Sequence, residues 1–329
     1  MALNLRGRSL LTLEDYSKEE IELLLATAKE YKQMKQAGIP HATLNGKSIA
    51  LLFEKTSTRT RCAFEVAATD LGIHPTYLGQ GDTQFGKKES TEDTARVLGR
   101  MFDGIEFRGY AHETVVDLAK YSGIPVWNGL TDFFHPTQVL ADFLTIEEYV
   151  KPLHKTRMVY VGDGRNNTAN SLMIGASKVG MDFTIISPAG LRPGEDLVQR
   201  AQSFAVESSA KISFSDDLLS SVEGADVIYT DVWVSMGEED KFAERIEMLR
   251  NYQVNQRVIE ATHNPDVKFL HCLPAFHDVN TVIGADIHNK FGLDAMEVSD
   301  EVFRGPHSLV FELSENRMHT IKALIALTL

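Results

Sequence analysis

Apolar and polar positions alternate between two rhythms along most of the chain. Residues 11–38 repeat apolar positions at helical spacing, Ser17 and Glu20 fit a capping box, and Gly38 offers a stop. The run KSIALLF (47–53) is continuous enough for a buried strand, and TRTRCAFEVAATDLG (58–72) returns to helical spacing and ends at Gly72. Strands are predicted at PTYL (75–78), GIEFRG (104–109) and IPVWNG (124–129), with helices at 91–102 and 112–123 between them. A helix over 135–150 leads into the polar, proline-bearing KPLHKTR (151–157), where a domain boundary is expected near residue 150.

A second alternating series follows. Strands are predicted at 157–162, 182–187, 211–215, 225–231 and 267–272, with helices at 167–180, 195–208 and 217–224. SLVFE (308–312) reads as another strand, and ENRMHTIKALIALTL (315–329) as an amphipathic helix. Strands alternating with helices specify helix-covered, mainly parallel sheets. The fold class is therefore α/β, with two open, mainly parallel-sheet domains. Ligands of such sheets sit beyond the carboxyl ends of the strands.

Size and charge narrow the function. At 329 residues the chain exceeds the usual limit of a single core. With 33 Lys and Arg against 46 Asp and Glu, the formal charge is −13, which disfavours nucleic-acid binding. An anionic substrate must then be caught by a local positive cluster. Two widely separated cysteines, Cys62 and Cys272, make no disulfide framework and fit a reducing compartment. The opening residues lack a signal-peptide apolar core, and no run approaches the roughly 20 apolar residues of a membrane span. A soluble cytoplasmic protein is expected.

Candidate chemistry gathers at the predicted strand ends. After SIALLF comes EKTSTRTR, which offers the hydroxyls of Ser57, Thr58 and Thr60 and the guanidiniums of Arg59 and Arg61 at a helix start. Helix N-termini favour anions, and guanidinium forks grip phosphate. An ordinary N-cap at Ser57 with solvent-facing arginines is the plainer alternative. Arg108, at the end of IEFRG, either reaches a ligand or is a surface charge. In HPTQ (135–138), His135 can donate to a carbonyl oxygen and Gln138 can read an NH2 group, or the four residues simply start a helix.

VGDGRNNTANS (161–171) has the first two glycines of a dinucleotide loop, but Thr168 and Ala169 stand where a third is needed. The next strand ends in Ser187-Pro188 with no ribose-binding acid, so nicotinamide chemistry is disfavoured. Asn166 and Asn167 can instead hold a polar substrate. Asp231 can bind an ammonium group, and Ser235-Met236-Gly237 can close over a ligand. Cys272 is either a thiol beside a reacting group or a small buried hydrophobe. On strand alternation His271 points away from it. A zinc site from His271, Cys272 and His277 lacks a fourth ligand.

In order, STRTR, FRGY, HPTQ, DVWVSMG, HCLP and ENRMHT resemble the aspartate/ornithine carbamoyltransferase family over almost the whole chain. SMG with HCLP resembles the ornithine branch. The resemblance implies a carbamoyl-phosphate domain (1–149) with the helix 315–329 packing back on it, an ornithine domain (150–314), and an active site in the cleft between them. It implies that Ser57, Thr58, Arg59, Thr60, Gln84, Arg108, His135, Gln138, Cys272, Leu273 and Arg317 hold carbamoyl phosphate. Gln84 would come from a loop that serves its own site or a neighbouring subunit's. Asn167, Asp231, Ser235 and Met236 would hold L-ornithine. Cys272, Arg108, His135, Asp231 and Arg317 would be catalytic, in a direct attack of the neutral δ-amine with Cys272 orienting substrate. Relatives often carry Met-Gly where this chain has Thr168-Ala169. The resemblance further implies a homotrimer or an assembly of trimers, no metal or cofactor, and no membrane partner. Aspartate, putrescine or an acetylated ornithine are the rival acceptors; a dehydrogenase and a non-catalytic binding protein are the rival classes.

Overall fold

The computed structural model describes residues 3–234 and 238–329. The chain divides into two compact units, residues 1–144 with 314–329, and residues 145–313. Each is built on its own parallel sheet.

The first unit contains β1 (Ser48–Phe53), β2 (His74–Leu78), β3 (Gly104–Arg108) and β4 (Val126–Leu130), in the order β2-β1-β3-β4, all parallel. From β1 the chain goes to β2 on one side and then to β3 on the other. The carboxyl ends of β1 and β3 therefore form a topological switch point, where open parallel sheets make a crevice. Both strands are buried along nearly their whole length, β1 as its apolar run requires and β3 although it carries Glu106 and Arg108. Pro75 is tolerated because β2 is an edge strand.

The second unit holds β5 (Arg157–Val161), β6 (Asp182–Ile186), β7 (Lys211–Ser215), β8 (Val227–Thr230) and β9 (Lys268–His271). Their order is β7-β6-β5-β8-β9, again all parallel. Here the switch point lies between β5 and β8. The core under it gathers Val159, Val161, Ile228, Val254, Phe269 and Val298.

Three elements differ from the sequence reading. The first predicted helix is interrupted: a short 3-10 turn at Leu13–Asp15 leads through an extended Tyr16 into the helix Lys18–Gln36, which Ser17 and Glu20 cap reciprocally. SLVFE is not a strand. Only Ser308 bridges to Phe269, through Phe269 N–H donating to the His307 carbonyl and Leu309 N–H donating back to Phe269. The helix Val310–Thr328 then begins, burying Val310 and Leu313 at i,i+3 while Phe311 is exposed. That last helix is also not amphipathic: Asn316, Arg317, His319, Thr320, Ile321, Lys322, Ala323, Leu324 and Ile325 are all buried. Two of its polar groups are met inside the first unit, Asn316 by Lys32 (2.8 Å) and Lys322 by His41 and Asp70. Helices at Phe242–Leu249, Gln256–Ala261, Val282–Phe291 and Asp300–Phe303 fall in stretches the periodicity left unassigned. Among the described residues no helix is long and apolar enough to cross a membrane.

Candidate active site

In the first unit the switch point collects guanidinium groups around one hydroxyl. β1 stops at Phe53, and the helix Thr58–Asp70 starts after Ser57, whose side chain accepts from Thr60 N–H at 3.1 Å. Ser57 is thus an N-cap, and the helix presents its positive end at the end of the strand. Thr58 is exposed there and Arg59 half-buried. Thr60, one turn in, is fully buried. Its Oγ1 accepts from Arg108 Nη1 (3.2 Å) at the end of β3 and from Arg317 Nη2 (2.9 Å) on the last helix. Bonds to charged donors are the stronger kind, so this hydroxyl ties together three distant parts of the chain. The other cations of the stretch are engaged elsewhere. Lys55 pairs with Asp132 (2.5 Å) and lies 4.2 Å over the Tyr110 ring. Arg61 pairs with Glu65 (2.9 Å) and covers Tyr77.

His135 precedes the helix Pro136–Tyr149 and is buried. Burial first, then the positive charges of Arg317, Arg108 and Arg59, push its pKa well below the usual histidine range. The imidazole is neutral at physiological pH and is a hydrogen-bond donor on one nitrogen only. Gln138 N–H donates to the His135 carbonyl (3.1 Å), and Gln138 Nε2 donates to Asp142 Oδ1 (2.9 Å), with both side chains fully buried. Gln84 is exposed, and its carbonyl closes a turn by accepting from the N–H groups of Lys87, Lys88 and Glu89.

Two residues before Arg108, on the same face of β3, Glu106 is fully buried. Neither carboxyl oxygen has a hydrogen-bond partner among the described residues. Burial drives its pKa well above the carboxylate range, against the pull of Arg108 and Arg317. The glycine at 129 makes the room: a Cβ there would collide with Glu106 Oε1.

The second unit arranges acceptors. Asn166 caps the helix Asn167–Val179 by accepting from Thr168 N–H (2.7 Å), and Asn167 Oδ1 accepts from Thr168 Oγ1 (3.3 Å). Asp231, at the end of β8, is 5 % exposed; its Oδ1 accepts from Val232 N–H (2.8 Å) and from Cys272 Sγ (3.1 Å). Ser235 and Met236 lie outside the described residues.

Strand alternation would turn His271 away from Cys272 only if the strand continued through both, and it does not. β9 ends at His271, so alternation ends there too, and Leu273 adopts a left-handed φ of 59°. Ligating atoms of Asp231, His271 and Cys272 consequently lie within 4.8 Å of one another. His271 Nδ1 accepts from Leu273 N–H (2.8 Å), and Nε2 faces Glu297 Oε1 at 3.3 Å, with both side chains fully buried. Leu273 packs on the unit's core. His277, grouped with His271 and Cys272 in the discarded zinc set, instead pairs with Asp300 at 2.6 Å.

The sequence reading did not single out Glu106, Asp142, Glu297 or the buried ion pair between Asp163 in the loop after β5 and Arg245 (3.1 Å). Glu106 had a signal, an acid set between the apolar Ile105 and Phe107 of a predicted strand. Asp142 had one too, an acid four residues after Gln138 inside the apolar stretch VLADFL of its helix. Glu297 and Arg245 had none, because their partners are distant in sequence.

Comparison with known proteins gives this geometry a family. Residues 8–148 match the model described as aspartate/ornithine carbamoyltransferase, carbamoyl-P binding domain, and residues 154–328 match its Asp/Orn binding domain. A catabolic ornithine carbamoyltransferase of Bacillus licheniformis is 60% identical over 327 residues, covering 99% of this chain and 98% of the relative. One from Streptococcus agalactiae is 58% identical over 324 residues, covering 98% and 96%. The solved ornithine carbamoyltransferase of Pyrococcus furiosus superposes with a TM-score of 0.91 at 44% identity, covering 99% of this chain and 98% of that one. The anabolic enzyme of Campylobacter jejuni gives 0.86 at 36% identity, covering 97% and 98%. The chain belongs to the aspartate/ornithine carbamoyltransferase family.

Proposed function

We propose that this chain is an ornithine carbamoyltransferase, which moves the carbamoyl group of carbamoyl phosphate to the δ-amine of L-ornithine and yields L-citrulline and phosphate. The observation that carries this reading is the Thr60 hydroxyl shared by Arg108 and Arg317 at a helix N-terminus, beside Arg59 and a neutral His135. In a chain of charge −13, such a concentration of cations suits a doubly charged phosphate. The names of the relatives supply the acceptor.

Ser57, Thr58, Arg59, Thr60, Gln84, Arg108 and Arg317 take the phosphate, and His135 donates to the carbamoyl oxygen. Gln138, Cys272 and Leu273 contact the rest of that substrate. Asn167, Asp231, Ser235 and Met236 hold ornithine. Cys272 and Leu273 apart, these roles assign carbamoyl phosphate to residues 1–149 with 315–329, and ornithine to 150–314. The δ-amine has an intrinsic pKa near lysine's ~10.4, so the site must favour its neutral form. Its lone pair attacks the carbonyl carbon, the C–N bond forms, the C–O bond to phosphate breaks, and the departing phosphate takes up the amine proton. Negative charge grows on the carbonyl oxygen and the phosphate, where the arginines and His135 oppose it. Positioning and electrostatics supply the acceleration, with no covalent enzyme intermediate. Cys272, donating to Asp231, orients the amine.

The catabolic titles of relatives at 58–60% identity, against an anabolic title at 36%, favour arginine breakdown as the physiological direction. The resemblance supports a cytoplasmic homotrimer or an assembly of trimers. The test is colorimetric citrulline production from carbamoyl phosphate and ornithine, run beside aspartate, putrescine and N-acetylornithine. Turnover with ornithine alone is expected. Turnover with a different amine reassigns the acceptor, and none with any amine defeats the reading.

A further inference from the structure

The buried pair Gln138–Asp142 has a consequence for which acyl phosphate the site accepts. An amide side chain has two faces, an oxygen that accepts and an NH2 that donates, and a free amide can present either to a ligand. Asp142 removes that freedom. Its Oδ1 is an acceptor 2.9 Å from Gln138 Nε2, so the NH2 is committed to the carboxylate and the oxygen is turned the other way. Both residues are fully buried, so water does not compete. Gln138 Oε1 is left without a hydrogen-bond partner among the described residues, in the turn that also carries His135. A buried acceptor left unmatched is costly, and a site built around one rejects ligands that lack the matching donor.

We propose that Asp142 is a specificity-determining positioning residue: by holding the Gln138 amide in one orientation, it makes the anion site select an acyl phosphate that carries an N–H2 group on its carbonyl carbon over one that carries a methyl group. The inference rests on the reading that this cluster holds carbamoyl phosphate. Asp142 touches no reacting atom, and its effect on the choice of ligand runs through the Gln138 amide. The i,i+4 spacing on the helix Pro136–Tyr149 places the two side chains on one face. The chemistry of the pair then sets the direction of the amide.

Two stable phosphonates that differ only at this group serve as probes, phosphonoacetamide (NH2) and 2-oxopropylphosphonate (CH3). Their dissociation constants are measured by calorimetry on the full-length protein, with inorganic phosphate as a third ligand that has no acyl group. The wild type is expected to prefer phosphonoacetamide by about 10- to 100-fold. In Asp142→Asn the neighbour can donate as well as accept, so the Gln138 amide can turn. The preference is expected to fall below about threefold while the affinity for inorganic phosphate stays within about twofold of wild type. The double variant Gln138→Glu, Asp142→Asn restores one donor facing one carboxylate and leaves a carboxylate oxygen toward the ligand, so the preference returns although overall affinity changes. A purely structural role for Asp142 would lower affinity for all three ligands together and would not be rescued this way. An unchanged preference in Asp142→Asn, or no preference in a wild type that binds inorganic phosphate, overturns the inference. If Asp142→Asn does not fold, the double variant decides, since loss of the preference there overturns it. A wild type that binds none of the three ligands defeats the anion-site reading instead.

Discussion

Thr60→Val removes one oxygen and leaves the side-chain volume in place. The perturbation is specific because Thr60 is fully buried and its Oγ1 is the common acceptor for Arg108 at 3.2 Å and Arg317 at 2.9 Å. A hydrogen bond to a charged group contributes about 1.5–3 kcal/mol. The two bonds share one atom and are not additive, so about 3 kcal/mol is the expected loss of arginine alignment. At about 1.4 kcal/mol per tenfold, kcat/KM for citrulline formation should fall by about 100-fold. Thr60→Ser keeps the hydroxyl and should stay within about fivefold of wild type. The assay is steady-state citrulline production at varied carbamoyl phosphate with saturating ornithine, alongside the dissociation constant of inorganic phosphate. A Thr60→Val enzyme that is folded and within a few-fold of wild type in both measurements would refute the idea that the shared hydroxyl organises the anion site.

Glu106 yields a pH-dependent stability prediction. Its folded pKa is raised, so its contribution to stability is fully present below the unfolded glutamate value, near 4.3, and is lost as pH rises toward the folded value. Glu106→Gln should therefore match wild type in urea midpoint near pH 4 and exceed it increasingly toward pH 8; parallel curves would show that the carboxyl is not buried as described. Cys272→Ser keeps a donor to Asp231 and should retain measurable turnover. Complete loss, with folding and substrate binding intact, would point to a covalent route.

Much of the architecture was legible because the central strands β1, β5 and β8 are short, mostly apolar runs with their own turn residues, and SIALLF and MVYV are unbroken by charge. What failed depended on where a pattern stops. SLVFE alternates well enough for a strand, yet only Ser308 finds an edge to pair with before helical packing of Val310 and Leu313 takes over. The expected strand 267–272 ran one residue past the end of β9, so the alternation on which His271 would face away from Cys272 does not apply. The last helix looked amphipathic because Lys322 and Arg317 are charged, whereas their partners Asp70 and Thr60 lie more than 250 residues away in sequence. The hydroxyl-rich turn after β1 announced an anion site locally. That Arg317 joins it followed only from a family resemblance, since nothing in the spacing of ENRMHT points to Thr60.

The central claim is that guanidinium groups drawn together by one buried threonine hold a dianion. The most direct measurement is the calorimetric dissociation constant of phosphonoacetamide for wild type and Arg317→Met, a change that keeps the length of the side chain and removes its charge. Loss of a buried charge partner costs about 2–5 kcal/mol, so affinity should fall at least about 30-fold with the fold intact. Equal affinity in a folded Arg317→Met protein would contradict the account.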